Sequence, residues 1–337
     1  MILYDRIIAF EKLGKIISDS KSNFLSKNII AKAEANNPWF IESHIRFSIF
    51  SLSLMLNPAH LSSWMNSYDI VQSNKKVGVI IPSNIPFVGF YDFLSIILSG
   101  NHFIGKLSSS NNILLPHLSK LLFDINPDLT SCIDFKQEIN KEEIDILIAT
   151  GDDNSATYFN YKYANTPKLI RKHRNSVCIL NGSEKLLELE KFSLDVYMYF
   201  GLGCRNLSKI FIPRNFDLQI LQKIFNSNDV LLNQNYMEVY SYQKSVFEMH
   251  NENFIDFGNL LLVESDKLNA PVSVLYYQFY DNIDEVINYI KFYKNNIQCV
   301  VSNDSRFKNS ISLGNSQLPR LEDFPDDVDV VNFLSKN

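Results

Sequence analysis

The sequence of 337 residues is poor in the features that mark metal-binding, disulfide-stabilised and nucleic-acid-binding proteins. Its four cysteines are scattered and form no CxxC pair, so neither a zinc site nor a disulfide framework is expected, and a reducing cytoplasm is the simpler compartment. The formal charge is −5, and the one dense basic cluster, Arg171–Arg174, is short. No nucleic-acid partner is therefore expected.

Long apolar runs are also lacking. The longest, Phe47–Leu56, is too short to span a bilayer and contains three serines. The segment Met1–Ile17 has the pattern of an amphipathic helix rather than that of a signal peptide. Because 46% of the residues are hydrophobic and 20% charged, we expect a soluble protein with a sizeable core, and the length favours two lobes.

From residue 76 onward, buried strands alternate with helices. A continuous apolar run, which is typical of a strand covered on both faces, predicts a strand at 77–81, and further strands are predicted at 100–106, 144–150, 176–180, 209–212, 260–263, 271–277 and 297–301. This alternation predicts an α/β fold with an open parallel sheet whose ligands bind at the carboxyl ends of the strands. No G-x-G-x-x-G motif follows a strand, so the usual dinucleotide fingerprint is missing.

One stretch, Tyr197–Pro213, combines features of a reactive site. An aromatic helical run meets Gly201 and Gly203, Cys204 follows, and a strand begins at once. Glycines allow a tight turn and the close approach of a ligand, so the Cys204 thiol is placed where a nucleophile would be useful. The alternative is a small buried cysteine after a glycine that ends a helix, and this stretch alone leaves both interpretations open.

Several segments in order resemble the aldehyde dehydrogenase superfamily and, more narrowly, the bacterial acyl-CoA reductase family, whose best-known members supply fatty aldehyde to luciferase. The resemblance covers about residues 35–335 and is carried by Asn37–Phe40, Ile85–Phe90, Gly105–Ser108, Ala149–Gly151, Arg174–Val177 and Gly201–Lys209. It implies an open parallel-sheet cofactor-binding domain over 1–184, to which the tail 303–337 returns, and a smaller α/β catalytic domain over 185–302. It also implies a homo-oligomer, a dimer being usual.

The resemblance implies a role for the Cys204 thiolate as the nucleophile that attacks the carbonyl of an acyl-CoA or another acyl thioester. Asn84 matches the asparagine that stabilises the oxyanion, with the backbone N–H of Cys204 as its partner. Read from the sequence alone, Asn84 is a turn residue between two prolines. No metal is implied.

For the cofactor, Lys106 matches the lysine that contacts the ribose, and Gly151 matches the glycine at the start of the cofactor-facing helix. Ser109 stands where many NAD-preferring relatives carry a glutamate, which favours NADPH and leaves NADH as the alternative. Pro82, Ser83 and Ser108, in the loops after the first two strands of the sheet, complete the implied cofactor-binding set.

Three departures from the family pattern matter. No glutamate precedes Arg174 where aldehyde-oxidising relatives keep their hydrolytic base, and Ile170 lies in that region. Lys267 replaces the glutamate that binds the cofactor. Asp152 follows Gly151 and would repel a pyrophosphate unless it caps the helix.

The sequence thus predicts an NADPH-dependent reductase that converts an acyl-CoA thioester to the aldehyde through an acyl-enzyme on Cys204. An aldehyde-oxidising dehydrogenase and a non-redox acyl-transfer protein that uses the same cysteine are the alternatives.

Overall fold

The computed structural model describes residues 2–225, 228–231 and 233–337, so the predicted helix start at Met1 lies outside the described residues. The chain forms two compact units, Met1–His173 with Pro319–Asn337, and Arg174–Leu318. The helices are α1 (Leu3–Ser18), α2 (Lys27–Asn36), α3 (Glu42–Met55), α4 (Pro58–Met65), α5 (Phe90–Leu98), α6 (Leu114–Ile125), α7 (Asp153–Lys162), α8 (Leu186–Tyr197), α9 (Gln219–Ile224), α10 (Asn228–Leu231), α11 (Gln234–Met249), α12 (Ile283–Phe292) and α13 (Val330–Lys336).

The strands are mostly short and largely buried. They are β1 (Lys76–Ile81), β2 (His102–Leu107), β3 (Ile133–Lys136), β4 (Ile146–Thr150), β5 (Lys168–Arg171), β6 (Asn175–Ile179), β7 (Leu207–Pro213), β8 (Ile255–Asp256), β9 (Leu261–Glu264), β10 (Val274–Tyr280) and β11 (Ile297–Val301). In the described residues, β1–β5 form one sheet in the order β3-β2-β1-β4-β5 and β6–β11 form a second in the order β11-β6-β7-β10-β9-β8. The α/β fold with parallel sheets is therefore confirmed.

The first unit is built around β1, the central strand of its sheet. Val77 and Val79 are fully buried, and Val77 pairs with Phe103 of β2 on one side and Ile146 of β4 on the other, both in parallel register. Strands covered on both faces need continuous apolar sequence, and this is the pattern on which their prediction rested. The chain returns to this core near its end, where Val331 and Leu334 of α13 are buried.

The second unit carries a parallel sheet with one antiparallel edge strand, β8. Strand β7 is central and pairs in parallel with β6 and β10. The segment 176–180, which the sequence analysis assigned to the first lobe, belongs to this sheet because β6 pairs with β7 and β11. The units divide at 173/174 and 318/319, whereas the predicted boundaries lie at 184/185 and 302/303. Cofactor binding and catalysis, as the roles of the two units, stay predictions.

Within the described part of the chain, no helix is both long and apolar enough to cross a membrane.

Candidate active site

The loop after β1 is anchored by side chains that bind its backbone carbonyls. Asn37 Nδ2 donates to Ser83 O at 2.8 Å, Asn111 Nδ2 donates to Pro82 O at 3.2 Å, and Ser48 Oγ donates to Pro86 O at 3.0 Å. These bonds fix the backbone on both sides of Asn84, whose side chain is half-buried. Asn84 is thus presented by a rigid loop, as a preorganised donor requires.

The loop after β2 is joined to the loop after β1. Ser108 N donates to Ile81 O at 3.3 Å, and the hydroxyls of Ser108 and Ser110 lie 3.2 Å apart. Ser109, whose carbonyl accepts from Asn36 Nδ2 at 3.1 Å, is exposed. This loop therefore offers hydroxyl groups at the carboxyl edge of the first sheet.

Lys106, near the end of β2, is half-buried, and its ammonium has no ion pair within the described ranges. Its register partner on β3, Lys136, instead binds Glu143 at 3.1 Å. A half-buried cation without a carboxylate attracts an anion, since its charge is only partly screened by water. Lys106 can therefore hold a phosphate or a ribose hydroxyl at this edge.

The helix start at Gly151 is built differently from the implied pyrophosphate site. A Cβ on Gly151 would lie 2.6 Å from Ser155 Cβ, so the packing of α7 against the strand end requires glycine here. Asp152 caps the helix, with Oδ1 accepting from Ser155 N at 2.7 Å, and this bond lowers the Asp152 pKa. Asp153 adds a second carboxylate in the first turn, paired with Lys172 at 2.9 Å. These charges disfavour a pyrophosphate at the helix N-terminus.

In the second unit, the backbone before Cys204 is strained. Helix α8 ends at Tyr197 rather than at the glycines, and Tyr199 and Phe200 both adopt left-handed conformations, with φ of 54° and 56°. Gly201 follows with φ of 77°. Bulky residues rarely adopt positive φ, and such strain clusters at functional sites. Cys204 is exposed at the end of this turn.

Asn206 holds the turn together. Its Nδ2 donates to Met198 O at 2.7 Å and to the α8 carbonyls of Asp195 and Val196 at 3.2 and 3.3 Å, while its Oδ1 accepts from Gly203 N at 2.9 Å. The amide thus binds carbonyls that the end of α8 leaves without helical partners. It also reduces the negative potential that a helix C-terminus would impose on a thiolate at Cys204.

Two further contacts position the cysteine segment. Ser176 Oγ, on β6, donates to Cys204 O at 2.9 Å and lies 3.0 Å from the Sγ of the half-buried Cys299. Arg205 Nε donates to Ser316 O at 2.5 Å. The Arg205 guanidinium, which neighbours Cys204 in sequence, is therefore engaged with the loop at residue 316.

The carboxylate of Asp195 organises that same loop. Asp195 is fully buried, and its two oxygens accept from Gly314 N at 2.6 Å and Ser316 N at 2.8 Å. Burial raises the Asp195 pKa to about 6. Asp195, Asn206 and Arg205 thus join the end of α8, the cysteine turn and the 314–316 loop into one hydrogen-bonded assembly.

Lys209, on β7, fixes the loop that contains Lys267. Its Nζ is buried and donates to Ser265 O at 2.6 Å and Lys267 O at 3.2 Å, and it lies 4.8 Å from the centre of the Tyr289 ring. Ser208 Oγ donates to Leu268 O at 2.7 Å. The backbone of this loop is therefore tied to the strand that follows Cys204, while the Lys267 side chain is exposed.

Burial lowers the Lys209 pKa to about 8, whereas an unfolded lysine titrates near 10.5. Between these pH values the unfolded chain binds more protons than the folded one, so the free energy of unfolding rises with pH. The contribution of Lys209 is therefore fully present above pH 10.5 and is lost as the pH falls to 8. We expect the stability of the wild type relative to Lys209→Met to rise from pH 8 to pH 9.5, by at most about 1.4 kcal/mol per pH unit. Urea unfolding at both pH values measures this difference, and parallel curves would contradict it.

Most of the predicted site residues lie at one sheet edge. Strands β2, β1 and β4 are adjacent and parallel, so the residues at or just after their carboxyl ends share one edge of the first sheet: Pro82, Ser83, Asn84, Lys106, Ser108, Ser109 and Gly151. Cys204 belongs to the second unit. Three tyrosines of α11 differ in exposure, since Tyr236 and Tyr240 are buried and Tyr242 is exposed.

Sequence reasoning missed the residues that support the site. Asn37, Asn111, Asn206 and Lys209 act by binding backbone carbonyls of other loops or elements. Asn206 and Lys209 lie close after Cys204, and their polarity at the start of an apolar strand was the one available signal.

Comparison with known proteins gives a match to a family model over part of the chain and a similar fold. A family model described as acyl-CoA reductase (LuxC) matches residues 50–202. No curated protein sequence matches the chain. Among solved structures, aldehyde dehydrogenase 21 from Physcomitrella patens, in complex with the reaction product succinate, is 13% identical, with a TM-score of 0.71 over 100% of this chain and 84% of that one.

Two further solved structures are similar over most of their length. The P. syringae indole-3-acetaldehyde dehydrogenase, in complex with NAD+, is 11% identical, with a TM-score of 0.68 over 95% of this chain and 75% of that one. An aldehyde dehydrogenase from Bacillus cereus, also an NAD+ complex, is 14% identical, with a TM-score of 0.64 over 90% and 72%. Family match and fold together support an NAD(P)-dependent oxidoreductase. The resemblance to the acyl-CoA reductases is thus confirmed: the chain matches their LuxC family over residues 50–202 and has the fold of the aldehyde dehydrogenase superfamily.

Proposed function

We propose that this protein reduces an acyl-CoA thioester to the aldehyde with NADPH, through an acyl-enzyme on Cys204. The observation that carries the proposal is the exposed Cys204 thiol on a strained turn, held by Asn206 and Ser176, in a chain that matches the acyl-CoA reductase model. The matched residues end at 202, so the role of Cys204 rests on the turn and on the motif around it.

In the proposed reaction the Cys204 thiolate attacks the thioester carbonyl, a new carbon–sulfur bond forms, and coenzyme A leaves as its thiolate. When bound, the nicotinamide cofactor supplies the hydride that reduces the acyl group to the level of the aldehyde. The aldehyde then leaves and Cys204 is regenerated. Acyl-CoA, NADPH and one proton thus give aldehyde, coenzyme A and NADP+.

The protein's own contribution is stabilisation of the charge that develops on the carbonyl oxygen. Asn84 is a suitable donor, because the carbonyls of Ser83 and Pro86 on either side of it are fixed by hydrogen bonds. We assign the second donor to the backbone N–H of Cys204, on the turn that Asn206 braces.

Reduction is favoured over oxidation to the acid because strand β5 does not carry the glutamate with which aldehyde-oxidising relatives activate water. Strand β5 carries Ile170 where aldehyde-oxidising relatives of this fold keep a glutamate, and the neighbouring Arg171 is bound to Asp92. Without such a base, an acyl-enzyme hydrolyses slowly and persists until it is reduced.

The carboxyl edge of the first sheet fits a nicotinamide dinucleotide through Lys106 and the serine loop. Lys106 supplies a cation without a carboxylate partner in the described chain, and the exposed Ser109 places no negative charge where a 2′-phosphate would lie. The helix start at Asp152 does not fit the pyrophosphate, so we assign no phosphate contact to Gly151. These features favour NADPH over NADH.

We expect Lys106→Met to weaken NADPH binding by about tenfold to a hundredfold, the value of a hydrogen bond between a charged donor and a phosphate. The matched control is Lys136→Met, since Lys136 lies directly opposite in the sheet but is neutralised by Glu143. Fluorescence titration with NADPH and NADH measures both variants. Equal losses in the two variants would remove Lys106 from the proposed site.

The function is tested by incubating the purified protein with an acyl-CoA series and NADPH while aldehyde, free coenzyme A and NADPH consumption are measured together. The proposal expects all three to change in equal amounts. Acid formed from aldehyde and NADP+, without aldehyde formed from acyl-CoA, would support the oxidising alternative. Coenzyme A released without NADPH consumption would support the acyl-transfer alternative.

A further inference from the structure

A polar cavity lies at the amino edge of the first sheet, where β1, β2 and β3 begin. This edge is opposite the one that carries the proposed cofactor site. Its volume is about 390 Å³, and its lining includes Arg6 from α1, Gln72 and Asn74 before β1, His102 at the start of β2, and the turn 127–132 before β3. All of these residues belong to the first unit, and none follows the carboxyl end of a strand.

The side chain of Arg6 is the unusual feature of this cavity. Arg6 is only 3% exposed, yet its guanidinium forms no ion pair with any described carboxylate. Nη1 donates to Ile97 O at 2.6 Å, with Asn101 O at 3.5 Å, whereas the buried Nε has no hydrogen-bond partner among the described groups. Burial also lowers the Arg6 pKa. Burying a charge without a counter-charge costs folding free energy. This cost indicates that the Arg6 guanidinium has a role besides packing.

A purely structural role explains this arrangement only in part. The Ile97 carbonyl lies in the last turn of α5, where a cation is favourable, so Nη1 serves the helix end. That contact leaves Nε unused and the charge uncompensated. Asp128 lines the same cavity but is exposed and makes no ion pair with Arg6.

Two of the other lining residues, Gln72 and Asn74, carry amide groups that can donate to an oxyanion. Gln72 Nε2 donates one proton to Asn74 Oδ1 at 2.7 Å, which orients both amides and leaves the second Gln72 proton and the Asn74 amide nitrogen to bind a ligand. Asn74 is held in a left-handed conformation, with φ of 54°. The His102 ring lies in the same lining. A guanidinium surrounded by amide and imidazole groups is a typical phosphate environment.

We propose that the cavity between Arg6, Asn74 and His102 binds a phosphate group, as free phosphate or as the phosphate of a small metabolite. The bound phosphate supplies the counter-charge that Arg6 lacks. This site is distinct from the proposed cofactor site, because it lies at the amino edge of the sheet.

The test is a titration with inorganic phosphate at constant ionic strength, followed by calorimetry, in the Lys106→Met background, which removes phosphate binding at the carboxyl edge. We expect saturable binding that Arg6→Lys weakens by about tenfold or more, since lysine cannot reproduce the guanidinium geometry. Asn74→Gly should also weaken it severalfold, because glycine keeps the left-handed backbone while removing the amide. The control is Arg46→Lys, which alters an exposed arginine paired with Glu42 and should leave binding unchanged.

Parallel titrations with adenosine monophosphate and with acetate identify the source of the anion. Tighter binding of the monophosphate than of phosphate supports a metabolite ligand, and the reverse supports free phosphate; tighter binding of acetate would overturn the assignment to phosphate. No saturable binding of either phosphate compound by the folded Lys106→Met protein would overturn the proposal. So would unchanged affinity in Asn74→Gly, a variant that tests the site even where Arg6→Lys fails to fold.

Discussion

Cys204→Ser is expected to abolish reduction of acyl-CoA, with a loss of at least about a thousandfold in kcat, because a serine hydroxyl is far less nucleophilic than a cysteine thiolate in this position. NADPH binding should stay nearly intact, since Lys106 and the serine loop, which we propose to bind the cofactor, belong to the other unit of the chain. The measurement is aldehyde formation under single-turnover conditions, alongside NADPH titration of the same variant.

The matched control for this prediction is Cys299→Ser. Cys299 is the other cysteine with solvent access, and its sulfur lies 3.0 Å from the Ser176 hydroxyl that positions the Cys204 carbonyl. A serine there conserves size and hydrogen bonding, so most of the activity should remain. Retained activity in Cys204→Ser, or an equal loss in Cys299→Ser, would contradict the assignment of the nucleophile.

Arg171→Met is expected to lower the free energy of unfolding by about 3–5 kcal/mol, because it leaves the Asp92 carboxylate buried and alone. Arg171 Nη1 and Nη2 bind the two Asp92 oxygens at 2.8 Å each, and both side chains are more than nine-tenths buried. The pair joins α5 to β5, so its loss weakens the sheet that carries the proposed cofactor site. Denaturant unfolding at neutral pH measures the effect.

Arg214→Met provides the comparison for Arg171→Met, because Arg214 makes the same two-point contact with Asp281, at 2.7 and 2.8 Å, on an exposed surface. Exposed pairs of this kind contribute about 1 kcal/mol or less. A loss in Arg214→Met as large as that in Arg171→Met would show that burial is not the reason for the effect.

The sheet cores could be predicted from the sequence, because strands buried on both faces have continuous apolar runs. Strand β1 was predicted at 77–81 and observed at Lys76–Ile81, and β11 was predicted with its observed bounds. Strand β5 was not among the predicted strands. It lies at a sheet edge, and its apolar Ile170 stands between the charged Lys168 and Arg171, so it has no continuous apolar run.

The geometry of the cysteine turn could not be predicted. Propensity favours a helix through Tyr199 and Phe200, but tertiary contacts hold both residues at positive φ. Gly151 shows the converse difficulty, because a glycine required by packing against Ser155 has the same sequence signature as one required by a ligand. Lys209 binds a carbonyl 56 residues away in the chain and Asn206 one that is 11 residues away, and such pairings have no local pattern.

The central claim is that the acyl group passes through the Cys204 sulfur. It is tested most directly by incubating the protein with a long-chain acyl-CoA without NADPH, digesting it, and locating the added acyl mass by peptide mass spectrometry. We expect the acyl mass on the peptide that contains Cys204. When NADPH is added, this acyl mass should disappear while aldehyde forms. Acyl mass on another residue, or acyl mass on Cys204 that persists while aldehyde forms, would contradict it.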